Sequence, residues 1–247
     1  MEYSGPPRSD VRVPASITAI AGDRPLVPVW QNALGGLTFR IGDGDGRLFA
    51  KWAPAGSDQD LDAEAARLRW AARFTAVPRV RDSGADEEGT WLVTHGLPGE
   101  SAVSPRWKAD PRTAVRALGE GLRTLHERLP VADCSFSWSV DHRLERARQA
   151  AVEVPADLPP PPPIDRLVVC HGDPCAPNTL LHDDGSWSAH VDMGALGVAD
   201  RWADLAVATW NTECNYGPGW EDTLLDAYGI APDPYRTDFY RRLWNAT

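Results

Sequence analysis

His171-Gly172-Asp173-Pro174-Cys175-Ala176-Pro177-Asn178 follows the apolar run Leu167–Cys170, and Val191-Asp192-Met193-Gly194 closes a hairpin-like pair, Thr179–His182 and Ser188–Val191. A loop aspartate, an asparagine five residues on and a second aspartate after the next hairpin form a set of oxygen-bearing side chains. Phosphoryl transfer needs such a set: one carboxylate to orient and deprotonate an attacking hydroxyl, and two oxygen ligands for Mg²⁺ at the nucleotide phosphates. Oxygen donors suit a hard cation and not zinc.

Upstream, Leu26–Trp30, Leu37–Ile41 and Arg47–Trp52, separated by the turns Asn32–Gly36 and Gly42–Gly46, read as an antiparallel meander. Leu61, Ala65, Leu68 and Ala72 recur at helical spacing over Asp60–Phe74. Val77–Arg81 and Thr90–Thr94 complete an expected sheet of about five strands. Lys51 lies inside the apolar run Leu48–Trp52, where its ammonium needs either a route to water or an anionic partner, and Glu64 on the helix is the available one. A strand lysine paired with a helix glutamate is an arrangement that holds nucleotide phosphates.

Beyond His95–Gly99, where two glycines and a proline break both periods, the pattern turns helical: Thr113–Leu129, Val140–Val152, Trp202–Trp210, then a pair near Trp220–Tyr228 and Asp233–Trp244. Pro159–Pro163 reads as a stiff polyproline spacer. Residues 1–23 lack a sustained period and are expected to form a loosely ordered arm.

The chain has 247 residues, 25 Lys and Arg against 35 Asp and Glu, and 43% hydrophobic residues, enough for one large domain or two lobes. Its net charge of −10 and lack of a basic run exclude a phosphate-backbone binder of nucleic acid and fit a neutral or cationic partner. Neither an apolar run of roughly 20 residues nor a signal-peptide pattern is present, so no membrane association and a cytoplasmic location are expected. The four cysteines, without a CxxC pair, suggest buried or loop thiols.

The sequence resembles the aminoglycoside phosphotransferases, nearest their streptomycin 3″ and aminoglycoside 3′ branches. The likeness rests on Phe49–Pro54, Glu64 with Arg67-Leu68 and Trp70, Leu125-His126, Val168–Cys175 with Pro177-Asn178, and Asp192 through Ala206, and runs from about Pro28 to Leu243. It implies an α+β, bilobal protein-kinase-like fold with an antiparallel sheet and helix in the N-lobe and a mostly helical C-lobe. Residues 1–94 would form the nucleotide-binding lobe, 95–99 the hinge, and 100–247 the catalytic and acceptor-binding lobe. The resemblance makes Asp173 the catalytic base, Asn178 and Asp192 the Mg²⁺ ligands, and Lys51 with Glu64 the phosphate-holding pair. Loop Gln31–Thr38 would cover the phosphates of ATP, with Gly35 and Gly36 allowing close approach, while the backbone at Thr94, His95 and Leu97 would hold adenine.

His171, Asp204 and Arg201 read as supports of the catalytic loop, and Trp52 and Trp70 as core. The proline bridge replaces a helical stretch that the family places in its acceptor wall, and Thr209–Asn215 carries a single carboxylate, Glu213, as the residue to test against a cationic acceptor. The expected activity is ATP- and Mg²⁺-dependent transfer to a hydroxyl of an aminoglycoside or related amino sugar, by a monomer or weak homodimer. The alternatives are a kinase of another small metabolite or antibiotic, and a nucleotide-binding module without turnover.

Overall fold

The computed structural model describes residues 4–7 and 10–247. The chain divides into two compact units, one built from residues up to Arg73 and from Val77–Leu97, the other from Phe74–Ala76 and Pro98–Thr247.

The first unit carries α1 (Ala15–Ala21), β1 (Leu26–Gln31), β2 (Leu37–Ile41), β3 (Leu48–Pro54), α2 (Leu61–Ala71), β4 (Val80–Ala85) and β5 (Gly89–His95). Its strands form one antiparallel sheet in the order β1-β2-β3-β5-β4. Strand alternation sends Leu37, Phe39, Ile41, Leu48, Ala50 and Val93 into one cluster. Lys51, next to Ala50 on β3, therefore faces the other side, which α2 covers with Leu61, Ala65 and Leu68 buried. Asp60 caps α2 by accepting the Ala63 N–H at 2.8 Å.

Two expectations are corrected here. The segment expected as a loose arm contributes α1, whose Ile17 is fully buried in the sheet's core cluster with Ala21; residues 1–3, 8 and 9 of that segment lie outside the described residues. Its length hid it, because seven residues with two inward positions leave no measurable period. The fourth strand starts at Val80 and not at Val77, since Pro78 has no N–H to give a ladder.

The second unit contains β6 (Glu100–Ser101), α3 (Pro105–Ala109), α4 (Pro111–Arg128), α5 (Val140–Gln149), β7 (Leu167–Cys170), β8 (Thr179–Leu181), β9 (Trp187–His190), β10 (Gly197–Asp200), α6 (Trp202–Tyr216), α7 (Glu221–Tyr228) and α8 (Pro234–Ala246). β7 pairs with β10, and β8 lies between β6 and β9. α4 is the spine of the unit, with Ala114, Val115, Leu118, Leu122 and Leu125 buried along one stripe. Its Gly119 lets α7 approach, as a Cβ there would sit 2.4 Å from the Leu224 carbonyl oxygen.

β6, α3 and β10 are too short to leave a period in the sequence, and α6 continues past the expected Trp210 to Tyr216. The proline bridge has no regular structure but is not a free spacer. Pro162 is buried, the Pro163 carbonyl accepts from the Arg236 guanidinium at 2.9 Å, and Asp157 pairs with Arg242 at 2.7 Å. Among the described residues, no helix is long and apolar enough to cross a membrane.

Candidate active site

In the first unit, Lys51 Nζ donates to both carboxylate oxygens of Glu64, at 2.7 and 2.9 Å. The Glu64 side chain is 5% exposed and that of Lys51 20%, so the ammonium is the end of the pair that meets solvent. A buried carboxylate holding a lysine in this way fixes the position of a cation.

Loop Gln31–Thr38 is organised by Asn32. Its Oδ1 accepts the N–H groups of Gly36 at 2.7 Å and Leu34 at 3.0 Å, its N–H donates to Gly36 O, and its Nδ2 donates to Gln59 Oε1 at 3.0 Å. Gly35 sits at φ +80°, and a Cβ on Gly36 would come within 2.4 Å of Gln59 Oε1. The two glycines thus meet the loop's own folding needs, whatever else they serve.

Thr94 and His95 are the last two residues of β5, and Leu97 lies just beyond it. Thr94 lies opposite Phe49, the His95 N–H donates to Arg79 O at 2.9 Å, and Leu97 O accepts from the Arg47 guanidinium.

In the second unit, β7 delivers the chain into a tight bend at His171 and Gly172. Gly172 has φ +87°, and a Cβ there would lie 2.3 Å from Ala195 O, so only glycine fits. Asp204, fully buried on the first turn of α6, accepts the N–H of His171 on Oδ2 at 2.6 Å and that of Gly172 on Oδ1 at 2.9 Å. His126 of α4 adds its Nε2 to Asp204 Oδ2 at 3.0 Å, and its Nδ1 meets the Tyr228 hydroxyl at 2.9 Å. Burial alone would raise the Asp204 pKa, but the donors from His126 and Gly172 and the neighbouring His171 more than offset it and hold the carboxyl below its ordinary value.

His171 uses both ring nitrogens on the backbone: Nδ1 accepts the Asp173 N–H at 3.2 Å, which leaves Nε2 to donate to Val191 O at 3.0 Å. It braces the loop against the segment that carries Asp192. The Asp173 carboxylate accepts from Asn178 Nδ2 at 3.1 Å, and the same Nδ2 donates to Asp173 O at 3.0 Å. Asp173 Oδ1 is buried and has no hydrogen-bond partner. Burial pushes the Asp173 pKa up; the Cys175 thiol and Asn178 oppose that shift, and the charge of Asp192 adds to it. Burial also raises the Cys175 pKa well above the usual thiol range, so the thiol stays protonated.

Asp192 adopts φ +63°, a left-handed conformation that L-residues rarely hold. Asn178, by spending its Nδ2 on Asp173, turns its Oδ1 away from that residue. The oxygen donors of Asn178 and Asp192 match Mg²⁺ chemistry, and Asp173 Oδ1 beside them is a buried acceptor without a hydrogen-bond partner.

The structure therefore brings together Asp173, Asn178 and the segment of Asp192, and separately Lys51 with Glu64. Glu213 is exposed on α6, and its carbonyl accepts the Gly217 N–H at 3.0 Å. Arg201 does not touch the loop; it pairs with Asp165 at 2.6 Å. Two loop supports carried no sequence signal: Asn211, whose Oδ1 accepts the Ala176 N–H at 2.7 Å, and Ser101, whose hydroxyl donates to Pro177 O at 3.0 Å. His126 had one in the Leu125-His126 pair, but its partner lies on α6.

Residues 32–240 match the phosphotransferase enzyme family. The chain is 34% identical to a streptomycin 3″-kinase of Streptomyces griseus, over 95% of this chain and 97% of that one. It is 37% identical to an aminoglycoside 3′-phosphotransferase of Streptomyces fradiae, over 79% of this chain and 84% of the relative. An aminoglycoside phosphotransferase of Streptomyces rimosus solved with ADP and streptomycin superposes with a TM-score of 0.72 at 29% identity, covering 94% of this chain and 96% of that one.

Proposed function

Because the chain belongs to the phosphotransferase enzyme family, we propose that it transfers the γ-phosphoryl group of ATP to a hydroxyl of an aminoglycoside, with Mg²⁺ as the required ion. The observation that carries this reading is Asp173 Oδ1, a buried carboxylate oxygen without a partner on a loop held by four hydrogen bonds, two of them to Asp204. An acceptor hydroxyl is the group that this oxygen lacks. Asp173 orients that hydroxyl and takes its proton as the oxygen attacks phosphorus, and the raised pKa makes the carboxylate a better base.

Asn178 and Asp192 are assigned to Mg²⁺, which when bound neutralises phosphate charge that builds toward the leaving group. Lys51, held by Glu64, is assigned to the phosphate oxygens, loop Gln31–Thr38 with Gly35 and Gly36 to the phosphate chain, and the backbone at Thr94, His95 and Leu97 to adenine. Residues 1–94 then serve the nucleotide and residues 100–247 the base, the metal and the acceptor. Little covalent chemistry falls to the protein; holding donor and acceptor in line supplies most of the rate.

Streptomycin is the first acceptor to test, because the relative named for it covers nearly the whole chain. The experiment is ADP release by purified protein with Mg·ATP over a panel of aminoglycosides and amino sugars, with and without EDTA. Turnover on at least one aminoglycoside, abolished by EDTA, is the expected result. Turnover confined to compounds without an amino sugar overturns the acceptor assignment, and EDTA-resistant turnover overturns the metal assignment.

A further inference from the structure

Gly5 is buried and lies opposite Gln31, the last residue of β1. The Gly5 N–H donates to Gln31 O at 3.0 Å, and the Gln31 N–H donates to Gly5 O at 2.8 Å. Gln31 also opposes Leu37 of β2, but its backbone groups turn outward to Gly5, as they do in the alternating pairs of an antiparallel ladder. β1 is the sheet's edge strand, so without Gly5 the root of loop Gln31–Thr38 would be an open edge facing water.

The segment that supplies Gly5 is anchored farther along. Glu88, between β4 and β5, accepts the Ala15 N–H at 3.4 Å and pairs with Arg12, and Ile17 is part of the core cluster. Between these anchors and the loop lies an open groove of about 480 Å³, with Val11 and Pro14 on one side and Gln31, Gly35, Leu37 and Trp52 on the other. Among the described residues, the Gly5 bridge ties the segment to the loop through the backbone.

We propose that Gly5 is a positioning residue for the nucleotide: its two hydrogen bonds to Gln31 hold the root of loop Gln31–Thr38, so that the loop meets the phosphate chain already ordered. The inference rests on the assignment of that loop to the phosphates. A loop ordered in advance loses less freedom on binding, and the gain falls on nucleotide affinity. The base loop around Asp173 is held by other bonds, so the rate of the bound complex is independent of Gly5.

The test compares the full chain with a variant lacking residues 2–7, with Gly5→Pro, which keeps the chain length and removes the N–H donor, and with Gly35→Ala inside the loop. In the truncated variant, hydrogen exchange at the Gln31 amide is expected to rise at least about tenfold. KM for Mg·ATP is expected to rise about threefold to tenfold, the size of one or two net backbone hydrogen bonds. kcat is expected to stay within about twofold, the split that marks a binding effect. Gly5→Pro is expected to move KM in the same direction by less.

If Gly35→Ala raises KM while the truncation and Gly5→Pro leave it unchanged, the role of Gly5 is overturned and the loop assignment stands. If Gly35→Ala leaves KM unchanged as well, both are overturned. A fall in kcat without a change in KM also overturns the proposal, since it would place the effect on the bound complex.

Discussion

Asp204 accepts the backbone N–H of His171 at 2.6 Å from thirty-three residues away. With Gly172 on its other oxygen and His126 beside it, this buried carboxylate satisfies donors that the bend before Asp173 cannot satisfy locally. The base is thus held through backbone, two residues before its own side chain. Asp204→Ala leaves two buried N–H groups and the Nε2 of His126 unpaired, and should cost about 3–5 kcal/mol, the range for breaking a buried charged network. A denaturation midpoint within error of wild type would refute this.

The pH dependence has a definite sign. Asp204 has a lowered pKa in the folded protein, so its contribution is fully present above the unfolded value of about 3.9 and is lost as pH falls through the folded value. The stability difference between wild type and Asp204→Asn should be flat from pH 7 to 5 and shrink below about pH 4. Urea melts at a series of pH values measure it; a gap that widens on acidification contradicts the charge assignment.

Asp173 shifts the other way, because its charge is held where burial disfavours it. Asp173→Asn should therefore unfold at a higher temperature than wild type at pH 7 while losing about 10²–10⁴-fold in kcat, the usual contribution of a positioned base. Mg·ATP affinity should be retained. An Asp173→Asn protein that is less stable and still turns over would remove the residue from its role.

Lys51→Met and Glu64→Gln separate the two halves of the ion pair. The first leaves a 5%-exposed carboxylate without its cation and should both destabilise the fold and raise KM for ATP. The second leaves the lysine a neutral hydrogen-bond partner and should raise KM by a smaller factor. Isothermal titration with Mg·ATP and thermal melts check both; equal effects from the two variants would count against the phosphate role of Lys51.

Gly172→Ala should be more damaging than its size suggests. Its φ of +87° is unfavourable for alanine, and the added methyl would press on Ala195 O at 2.3 Å. A loss of roughly 1–3 kcal/mol from backbone strain, plus displacement of the base, should make the variant nearly inactive at 25 °C. Wild-type kcat in this variant would show that the bend is not needed.

The legible parts of this molecule were those whose signal is local. The spacing of Leu61, Ala65 and Leu68 reported α2, and the place of Lys51 inside an apolar run called for an anionic partner, which Glu64 is. The run from His171 to Asn178 announced a loop carrying oxygen-bearing side chains; that Asn178 bonds Asp173 came from the structure. Elements of two to seven residues, such as β6, β10 and α1, escaped because so few residues cannot display a period. Glu213 was singled out for its charge, and charge alone says nothing about direction; it is exposed.

By itself, then, the sequence determined the order of the longer elements, the lysine–glutamate pair and the set of oxygen donors, because each depends on spacing along one strand, helix or loop. Only the tertiary structure decided which distant group satisfies each buried polar atom: Asp204 for the amides of His171 and Gly172, Asn211 for Ala176, Gly5 for Gln31. Those pairings follow from how helices and edges pack, and unpaired backbone groups in the interior are costly enough that packing must supply them.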